Sequence, residues 1–377
     1  MRKYMKGGKF VISILTICLT AMLFACAPKN IGNSQTDENT SENKMKVKMI
    51  TPAKSEDIVV ANKSVFDWYT SYLPGCVGEN YGKNDVFYGQ AISFSWSADI
   101  ECDYYIVDIF TDGHYKKEES FRAVEKKIDA RDLYVGSDYR WTVTGFSGGE
   151  EVVKGESFFK TQKSPRTVKI DGVSNARDVG FFSKKIKQGM IYRAASLDDV
   201  TAKGIQDAIY RYGIKTDIDL RNRGEGSAGT TSPLGESVNY YSFPGAYYVK
   251  SAANVKDPIY QKNMAETIKI FAAEKNYPIV FHCAIGRDRT GTLAAVLEAF
   301  LGASYDDILA DYELSFFSEA GCKDGASDEA MLVQINELYS FLESYGDGNV
   351  RENTEKYLLD IGVSHEELSE IKRIMKR

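Results

Sequence analysis

The sequence predicts two folded domains: a small all-β sandwich, then an α/β domain in which helices flank a central, mainly parallel sheet. Across residues 49–163 apolar and polar residues alternate with period two, and Gly and Asp turns separate the runs, which is typical of half-buried strands. After a polar linker near residue 164, short apolar segments alternate with longer helical patterns, which indicates a parallel sheet with crossover helices. With 377 residues, 43% of them hydrophobic, the chain is long enough to build two such cores.

The N-terminus has the pattern of a targeting segment. Four cations precede an apolar run at residues 10–25, which is too short for a comfortable membrane-spanning helix. The run ends in Leu23-Phe24-Ala25-Cys26, which resembles the lipobox of bacterial lipoproteins, where the cysteine carries lipid. We therefore expect a signal peptide at residues 1–25 and lipidation at Cys26, so that the folded chain is anchored to the cell membrane outside the cytoplasm. An ordinary secretion signal or a short membrane anchor is the alternative.

A tether is expected at residues 26–48, before the first domain. Residues 27–45 are rich in Asn, Ser, Thr, Glu and Lys and contain no aromatic residue. Such a segment cannot bury enough apolar surface to offset its ordering entropy, so it predicts a flexible spacer.

The all-β segment at residues 49–163 carries a loose family signature. Trp96 lies on an early strand, and Leu133-x-x-Gly136-x-x-Tyr139-x-Trp141 lies near a late one, a pattern that resembles a fibronectin type III domain. We expect Trp96, Tyr139 and Trp141 in its core and a spacer or positioning role. A carbohydrate- or protein-binding role is the alternative, and its partner is unknown. A disulfide between Cys76 and Cys102 is permitted outside the cytoplasm but is not fixed by the sequence.

The α/β domain is expected at residues 164–377. The sequence predicts helices at 202–212, 264–275 and 290–301, the last ended by Gly302, with strands at 216–220 and 278–282. The loop between the 278–282 strand and the 290–301 helix leaves the carboxyl end of a strand, where open α/β sheets bind ligands.

That loop carries the chemistry: residues 282–291 are His-Cys-Ala-Ile-Gly-Arg-Asp-Arg-Thr-Gly. A thiol ionises near pH 8.5, but inward N–H groups, a helix N-terminus and a guanidinium all favour the thiolate, and they later hold phosphoryl oxygens. The pattern indicates a cysteine-dependent, metal-independent phosphomonoesterase that forms a phosphocysteine intermediate. The predicted catalytic residues are Cys283, Asp288 and Arg289, and the predicted phosphate-binding loop adds Ala284, Ile285, Gly286, Arg287 and Thr290.

Three residues of the same loop have individual predicted roles. Asp288 is expected to protonate the leaving oxygen and then activate water; the alternative is that it only pairs with Arg287 or Arg289. Thr290 is expected to hydrogen-bond the sulfur. His282 is expected to orient the loop from beneath, or to be a structural histidine.

The loop and five further segments resemble secreted bacterial tyrosine phosphatases of the Listeria lipoprotein and mycobacterial secreted type. The segments are Asn175-Ala-Arg177-Asp178-Val-Gly180, Ile191-Tyr-Arg193-Ala-Ala-Ser196, Asp219-Leu-Arg221, Ala310-Asp311-Tyr312 and Tyr357-Leu-x-x-x-Gly362-Val. The resemblance covers roughly residues 165–377. It implies the cysteine-dependent phosphatase fold, no cofactor, and hydrolysis of phosphotyrosine, with phosphoserine, phosphothreonine and phosphoinositides as further substrates. Relatives usually have lysine where this chain has Arg287.

Further residues outside the loop have supporting or alternative roles. We expect Arg177, Asp178, Arg193 and Arg221 to form a buried ion network that supports the loop. Tyr247-Tyr248 form either a lid over an aromatic substrate or a solvated loop. Lys184, Lys185 and Lys187 form either a clamp for polyphosphates or a solvated turn.

The composition excludes some classes of function. A net charge of −6, without a long Lys/Arg run, argues against general nucleic-acid binding. Three scattered histidines and the lack of a C-x-x-C pair indicate no zinc site. The remaining alternatives are a dedicated phosphoinositide or inositol-phosphate phosphatase, a sulfurtransferase or arsenate reductase, and an adhesion protein with an inert phosphatase domain.

Overall fold

The computed structural model describes residues 46–376 apart from 78–81, 83, 112–118, 183–184, 246–255, 324 and 326–327. The predicted signal peptide, Cys26 and almost all of the predicted tether lie outside the described residues, as do Lys184 and Tyr247-Tyr248. Residues 45–377 form one structural unit. Within the described part, no helix is both long enough and apolar enough to cross a membrane.

The N-terminal half contains two sheets around a shared hydrophobic core. One sheet has the order β1-β3-β6, and the other has the order β2-β8-β7-β4-β5. Their strands are β1 Val47–Thr51, β2 Glu56–Ile58, β3 Ile92–Ala98, β4 Tyr104–Thr111, β5 Glu119–Ala123, β6 Lys127–Ala130, β7 Asp138–Ser147 and β8 Glu150–Thr161. Strand β1 begins at Val47, two residues inside the predicted tether.

Aromatic residues fill this core. Trp96, Tyr139 and Trp141 are all buried there, which confirms the expectation for these three side chains. Phe94 meets Trp141 edge to face, with ring centroids 5.1 Å apart, the geometry that aromatic quadrupoles favour. The likeness to fibronectin type III domains remains a prediction.

Between β2 and β3 the chain leaves the sheets and forms two helices, α1 Lys63–Thr70 and α2 Asn84–Phe87. We call the described residues between 61 and 89 the insert. Its apolar residues Val65, Trp68 and Phe87 are buried in the hydrophobic core of the C-terminal half. The sequence analysis placed this segment within the β-domain and did not foresee helices there.

The C-terminal half is built on a five-stranded sheet of order β12-β11-β13-β10-β9. The four strands β10–β13 are parallel to one another, and the edge strand β9 pairs antiparallel with β10. The predicted α/β class with a mainly parallel sheet is therefore confirmed. The strands are β9 Arg177–Asp178, β10 Ile191–Ala194, β11 Thr216–Asp219, β12 Asn239–Ser242 and β13 Ile279–His282. The helices are α3 Ala202–Gln206, α4 Pro258–Ile270, α5 Asp288–Leu301, α6 Tyr305–Leu314, α7 Glu329–Glu343, α8 Val350–Asp360 and α9 His365–Met375.

Strand β13 and helix α5 form the centre of this half. Every residue of β13 is buried, and so is α5 from Arg289 to Leu301. Gly302 ends α5 in the left-handed conformation, as its position after the apolar run predicts. The loop between β13 and α5 is thus held by two buried elements.

A buried arginine joins the two halves. Arg166, 2% exposed, pairs with Asp178 at 2.6 Å, and its Nη2 donates to the carbonyl oxygen of Asp132 at 2.8 Å. Its guanidinium also lies 4.3 Å from the ring centroid of Tyr134. Asp132 accepts a further hydrogen bond from the Tyr212 hydroxyl at 2.8 Å. The β-domain is therefore packed firmly against the α/β domain.

Candidate active site

The loop at residues 283–287 turns sharply between β13 and α5. Gly286 has a φ of +73°, and a Cβ there would lie 2.5 Å from the carbonyl oxygen of Ala194. Only glycine fits this close approach to strand β10. Cys283 is 1% exposed, and the buried Thr290 hydroxyl has no hydrogen-bond partner among the described residues. A thiol and a hydroxyl therefore both lie buried where β13 passes into α5.

Arg289 is held by a residue that the sequence analysis missed. Its Nη1 and Nη2 donate to the two carboxylate oxygens of Glu225, at 3.0 and 2.8 Å. Burial alone would raise the pKa of Glu225, but the bonds from Arg289 and Asn222 lower it, so the carboxylate is charged. The signal for Glu225 was its position in the sequence. It lies four residues after Arg221, in the loop that leaves β11 at the same edge of the sheet as Cys283.

Asp288 is the first residue of α5, and its neighbour Arg287 contacts it. The Nε of Arg287 lies 3.2 Å from Oδ1 of Asp288. The Nη1 of Arg287 donates to the carbonyl oxygen of Gly321 at 2.9 Å, and its guanidinium lies 5.0 Å from the Phe316 ring centroid. Asp288 therefore pairs with Arg287, as the alternative interpretation of Asp288 predicts. The Arg287 side chain extends toward residues 316–321.

Two buried arginines support the loop from below through one carboxylate. Asp311 on α6 pairs with Nε of Arg177 at 2.7 Å and also with Arg193. Burial alone would raise the pKa of Asp311, but the two arginines lower it, while burial and Arg193 lower the pKa of Arg177 to about 10. Arg193 donates to the carbonyl oxygen of Gly286 at 2.7 Å. The ion cluster therefore ends on the phosphate loop itself.

Asn175 is a second support for the loop. Its Nδ2 donates to the carbonyl oxygen of Ile285 at 3.0 Å, and Arg177 donates to its side-chain oxygen. Asn175 has a φ of +59°, a conformation that asparagine tolerates better than most residues. With their carbonyl oxygens bonded outward, the loop peptides can direct N–H groups inward.

The other predicted supports lie farther from the loop. Asp178 pairs with Arg166 at the domain junction and not with the loop. Arg221 pairs with Asp198 at 2.7 Å and Asp219 at 2.8 Å. Its Nη1 also donates to the hydroxyl of Ser196 at 3.0 Å. The Ser196 N–H donates to the carbonyl oxygen of Ala284 at 3.1 Å, so Arg221 supports the loop through Ser196.

His282 lies under the loop at the end of β13. Its Nε2 is 3.1 Å from Oδ1 of Asp217, and both side chains are fully buried. Burial alone would lower the pKa of His282, but Asp217 outweighs it and raises the pKa above its ordinary value. His282 therefore lies beneath the loop, next to the Asp217 carboxylate.

The remaining lysines lie away from Cys283. The Lys185 amine is next to Gly302, at the C-terminal end of α5, and the Lys187 N–H donates to Met375. Helix α5 has 14 residues and at 1.5 Å per residue is about 21 Å long. The position of the Lys185 amine therefore favours the alternative of a solvated turn over a polyphosphate clamp at the loop.

Metal and disulfide chemistry have no counterpart in the described part of the chain. No group of three or more His, Cys, Asp or Glu side chains there is placed to hold a metal ion. Cys76, Cys102, Cys283 and Cys322 are all free thiols, so the disulfide left open between Cys76 and Cys102 is not formed.

Comparison with known proteins gives one family match. Residues 168–376 match the model of the "Tyrosine phosphatase family". A protein of Cupriavidus necator, provisionally named a tyrosine-protein phosphatase, is 26% identical over 171 residues; the match covers 38% of this chain and 60% of that protein.

Two solved structures are also similar. One is TpbA of P. aeruginosa, at 18% identity and a TM-score of 0.29 over 46% of this chain and 86% of that one. The other is the catalytic domain of the PP-IP phosphatase SIW14 of S. cerevisiae, also at 18% and 0.29, over 44% and 87%. At that TM-score neither likeness carries weight for activity or substrate.

Proposed function

The chain belongs to the tyrosine phosphatase family, and on that premise we propose that it hydrolyses phosphomonoesters, phosphotyrosine first among them, through a phosphocysteine on Cys283. The observation that carries the proposal is the loop itself. Cys283 directly follows a buried parallel strand, and the loop that it begins leads into the N-terminus of a 14-residue buried helix. The arginine of that helix is already oriented by a carboxylate.

The proposed reaction has two displacements. The Cys283 thiolate attacks phosphorus, the P–S bond forms as the P–O bond to the leaving group breaks, and Asp288 gives its proton to the leaving oxygen. Asp288 then takes a proton from water, which attacks phosphorus and breaks the P–S bond, releasing phosphate and the thiolate. Arg289 and the loop N–H groups hold the equatorial oxygens in both transition states. Thr290 donates its hydroxyl hydrogen bond to the departing sulfur.

The positions of the described cations favour a substrate with a single phosphate. Arg287 is engaged by Asp288, Gly321 and Phe316, Arg221 by two aspartates, and Lys185 lies at the far end of α5. A substrate with several phosphates needs a cation for each of them. We therefore place phosphotyrosine ahead of inositol polyphosphates, with phosphoserine, phosphothreonine and phosphoinositides as secondary substrates.

The location is proposed from residues 1–26 alone. A lipid on Cys26 would anchor the enzyme to the outer face of the cell membrane, with the fibronectin type III-like domain nearest to the anchor. Detergent phase partition tests this: the native chain should enter the detergent phase, and Cys26→Ser should stay in the aqueous phase. Equal partition of the two chains would contradict lipidation.

The activity is tested on an aryl phosphate in the presence of EDTA. We expect turnover without metal, inhibition by vanadate, and complete loss in Cys283→Ser with the fold intact. Asp288→Asn should lower kcat on poor leaving groups by about 10²–10⁴ and spare good ones, as for loss of a general acid. Turnover that needs a metal, or that survives Cys283→Ser, would overturn the proposal.

A further inference from the structure

The insert of the N-terminal half is fixed to helix α6, which also carries the loop-supporting Asp311. Glu313 on α6 is fully buried, and both of its carboxylate oxygens receive hydrogen bonds from the insert. The Tyr72 hydroxyl donates to one oxygen, and the Gly75 N–H donates to the other at 2.8 Å. A buried carboxylate needs such donors, so this contact fixes the position of the insert.

Aromatic packing continues the contact past the end of α6. Trp68 of the insert lies 5.1 Å, between ring centroids, from Phe317. The N–H of Gly82 donates to the carbonyl oxygen of Phe316 at 2.8 Å. Phe316 is also the ring that Arg287 covers. A single phenylalanine thus contacts the insert on one side and the phosphate loop on the other.

The chain then forms a turn at residues 318–322, which we call the rim turn. Arg287 donates to its Gly321 carbonyl, and the Ala320 N–H donates to the Ser174 hydroxyl at 3.2 Å. Ser174 precedes Asn175, which itself bonds the loop at Ile285. The rim turn therefore borders the phosphate loop through two separate connections.

The tip of the insert meets the rim turn directly. Gly82 has a φ of +68°, and a side chain there would clash with the Sγ of Cys322. Earlier in the insert, a Cβ on Gly75 would lie 3.3 Å from the backbone nitrogen of Glu329. The described residues of the insert and of 318–329 are thus in contact next to the loop, and we call them the wall.

We propose that this wall binds the polypeptide on either side of a phosphotyrosine, so that the N-terminal half selects among protein substrates. The inference rests on the proposed function. The phosphate loop holds only the phosphoryl group, and whatever extends beyond it meets the neighbouring wall. Among the described residues of 318–329, the exposed acids Glu319, Asp328 and Glu329 outnumber the exposed Lys323. This balance disfavours anionic lipid surfaces and polyphosphates and favours peptides with basic flanks.

The test compares a small and a large substrate that share one phosphorylated ring. Gly82→Ala pushes on Cys322, whereas Gly148→Ala, at a φ of +59° with nothing within 4 Å, imposes similar backbone strain on a remote hairpin. We expect Gly82→Ala to lower kcat/KM on a phosphotyrosyl peptide by about tenfold and to leave p-nitrophenyl phosphate within about twofold. Gly148→Ala should change neither. Equal loss on both substrates, or no loss on the peptide, overturns the wall as a specificity element.

A surface variant covers the case in which Gly82→Ala does not fold. Glu319→Lys should lower kcat/KM about threefold on a peptide with lysine beside the phosphotyrosine and raise it on one with glutamate there, a shift typical of an exposed ion pair. Identical responses to the two peptides contradict the proposal, as does a change confined to phosphoinositide vesicles. If the unaltered chain hydrolyses neither small nor large substrate, the proposed function has failed, and not the wall.

Discussion

The pair between Glu225 and Arg289 gives the sharpest prediction. A guanidinium has five N–H donors, and Glu225 occupies one on each Nη. One carboxylate thus holds both Nη groups, so Glu225 fixes the orientation of the arginine. Glu225→Ala should therefore lower kcat/KM on aryl phosphates.

The magnitude follows from the geometry. A hydrogen bond to a charged group contributes about 1.5–3 kcal/mol, but Glu225 is 35% exposed, so solvent screening reduces the gain. We expect a loss of about 1–2 kcal/mol, or about 5–30-fold in kcat/KM. The assay is steady-state hydrolysis of p-nitrophenyl phosphate, with Glu225→Gln as the matched variant that keeps one acceptor and loses less. A rise in kcat/KM for Glu225→Ala would mean that Glu225 competes with phosphate, and the orienting role would be wrong.

Three further predictions concern the support of the loop. Gly286→Ala should abolish activity and destabilise the fold, because its Cβ would meet a carbonyl oxygen of β10. Gly362→Ala, at a φ of +104° with open space around it, should keep full activity, and an active Gly286→Ala would contradict the geometry. Asp311→Asn should lower the unfolding free energy in urea by about 3 kcal/mol, since it leaves two buried arginines uncompensated; an unchanged midpoint would count against the cluster. His282 has a raised pKa in the fold, so its pairing stabilises fully below about pH 6.5 and is lost as pH rises through the folded value. Urea unfolding of Asp217→Asn between pH 5.5 and 8.5 should show a weaker fall in stability than the native chain, and parallel curves would refute the assignment.

The sequence predicted the elements that depend on local pattern. The strand expected at residues 278–282 is β13, Ile279–His282, and the helix expected from residue 290 begins at Asp288. Here the apolar run and the terminal Gly302 determine the structure without distant partners. The helix expected at 264–275 is instead α4, Pro258–Ile270, followed by a short 3₁₀ turn. An Asp257 N-cap and the proline after it set the start that the apolar pattern alone did not reveal.

The missed features depend on contacts between distant residues. Trp68 and Phe87 fall within the predicted β-domain, but they are buried in the core of the C-terminal half, where Trp68 packs against the distant Phe317. Glu225 lies in a loop without periodicity, so only the fold brings it to Arg289. Arg287 belongs to the predicted phosphate-binding loop, and only the fold shows that its guanidinium contacts Gly321 and Phe316. Composition could not indicate any of these pairings.

The edge strand β9 is only two residues long, and those residues point to opposite faces. Arg177 reaches Asp311 beneath the catalytic loop, while Asp178 reaches Arg166 and through it the backbone of the β-domain. Removal of residues 1–164 would remove the backbone carbonyl oxygens to which Arg166 donates. It would also expose the buried Arg166 guanidinium to water. The N-terminal half therefore belongs to the same folded unit as the loop, and the C-terminal half alone, transplanted onto another carrier, should fold poorly.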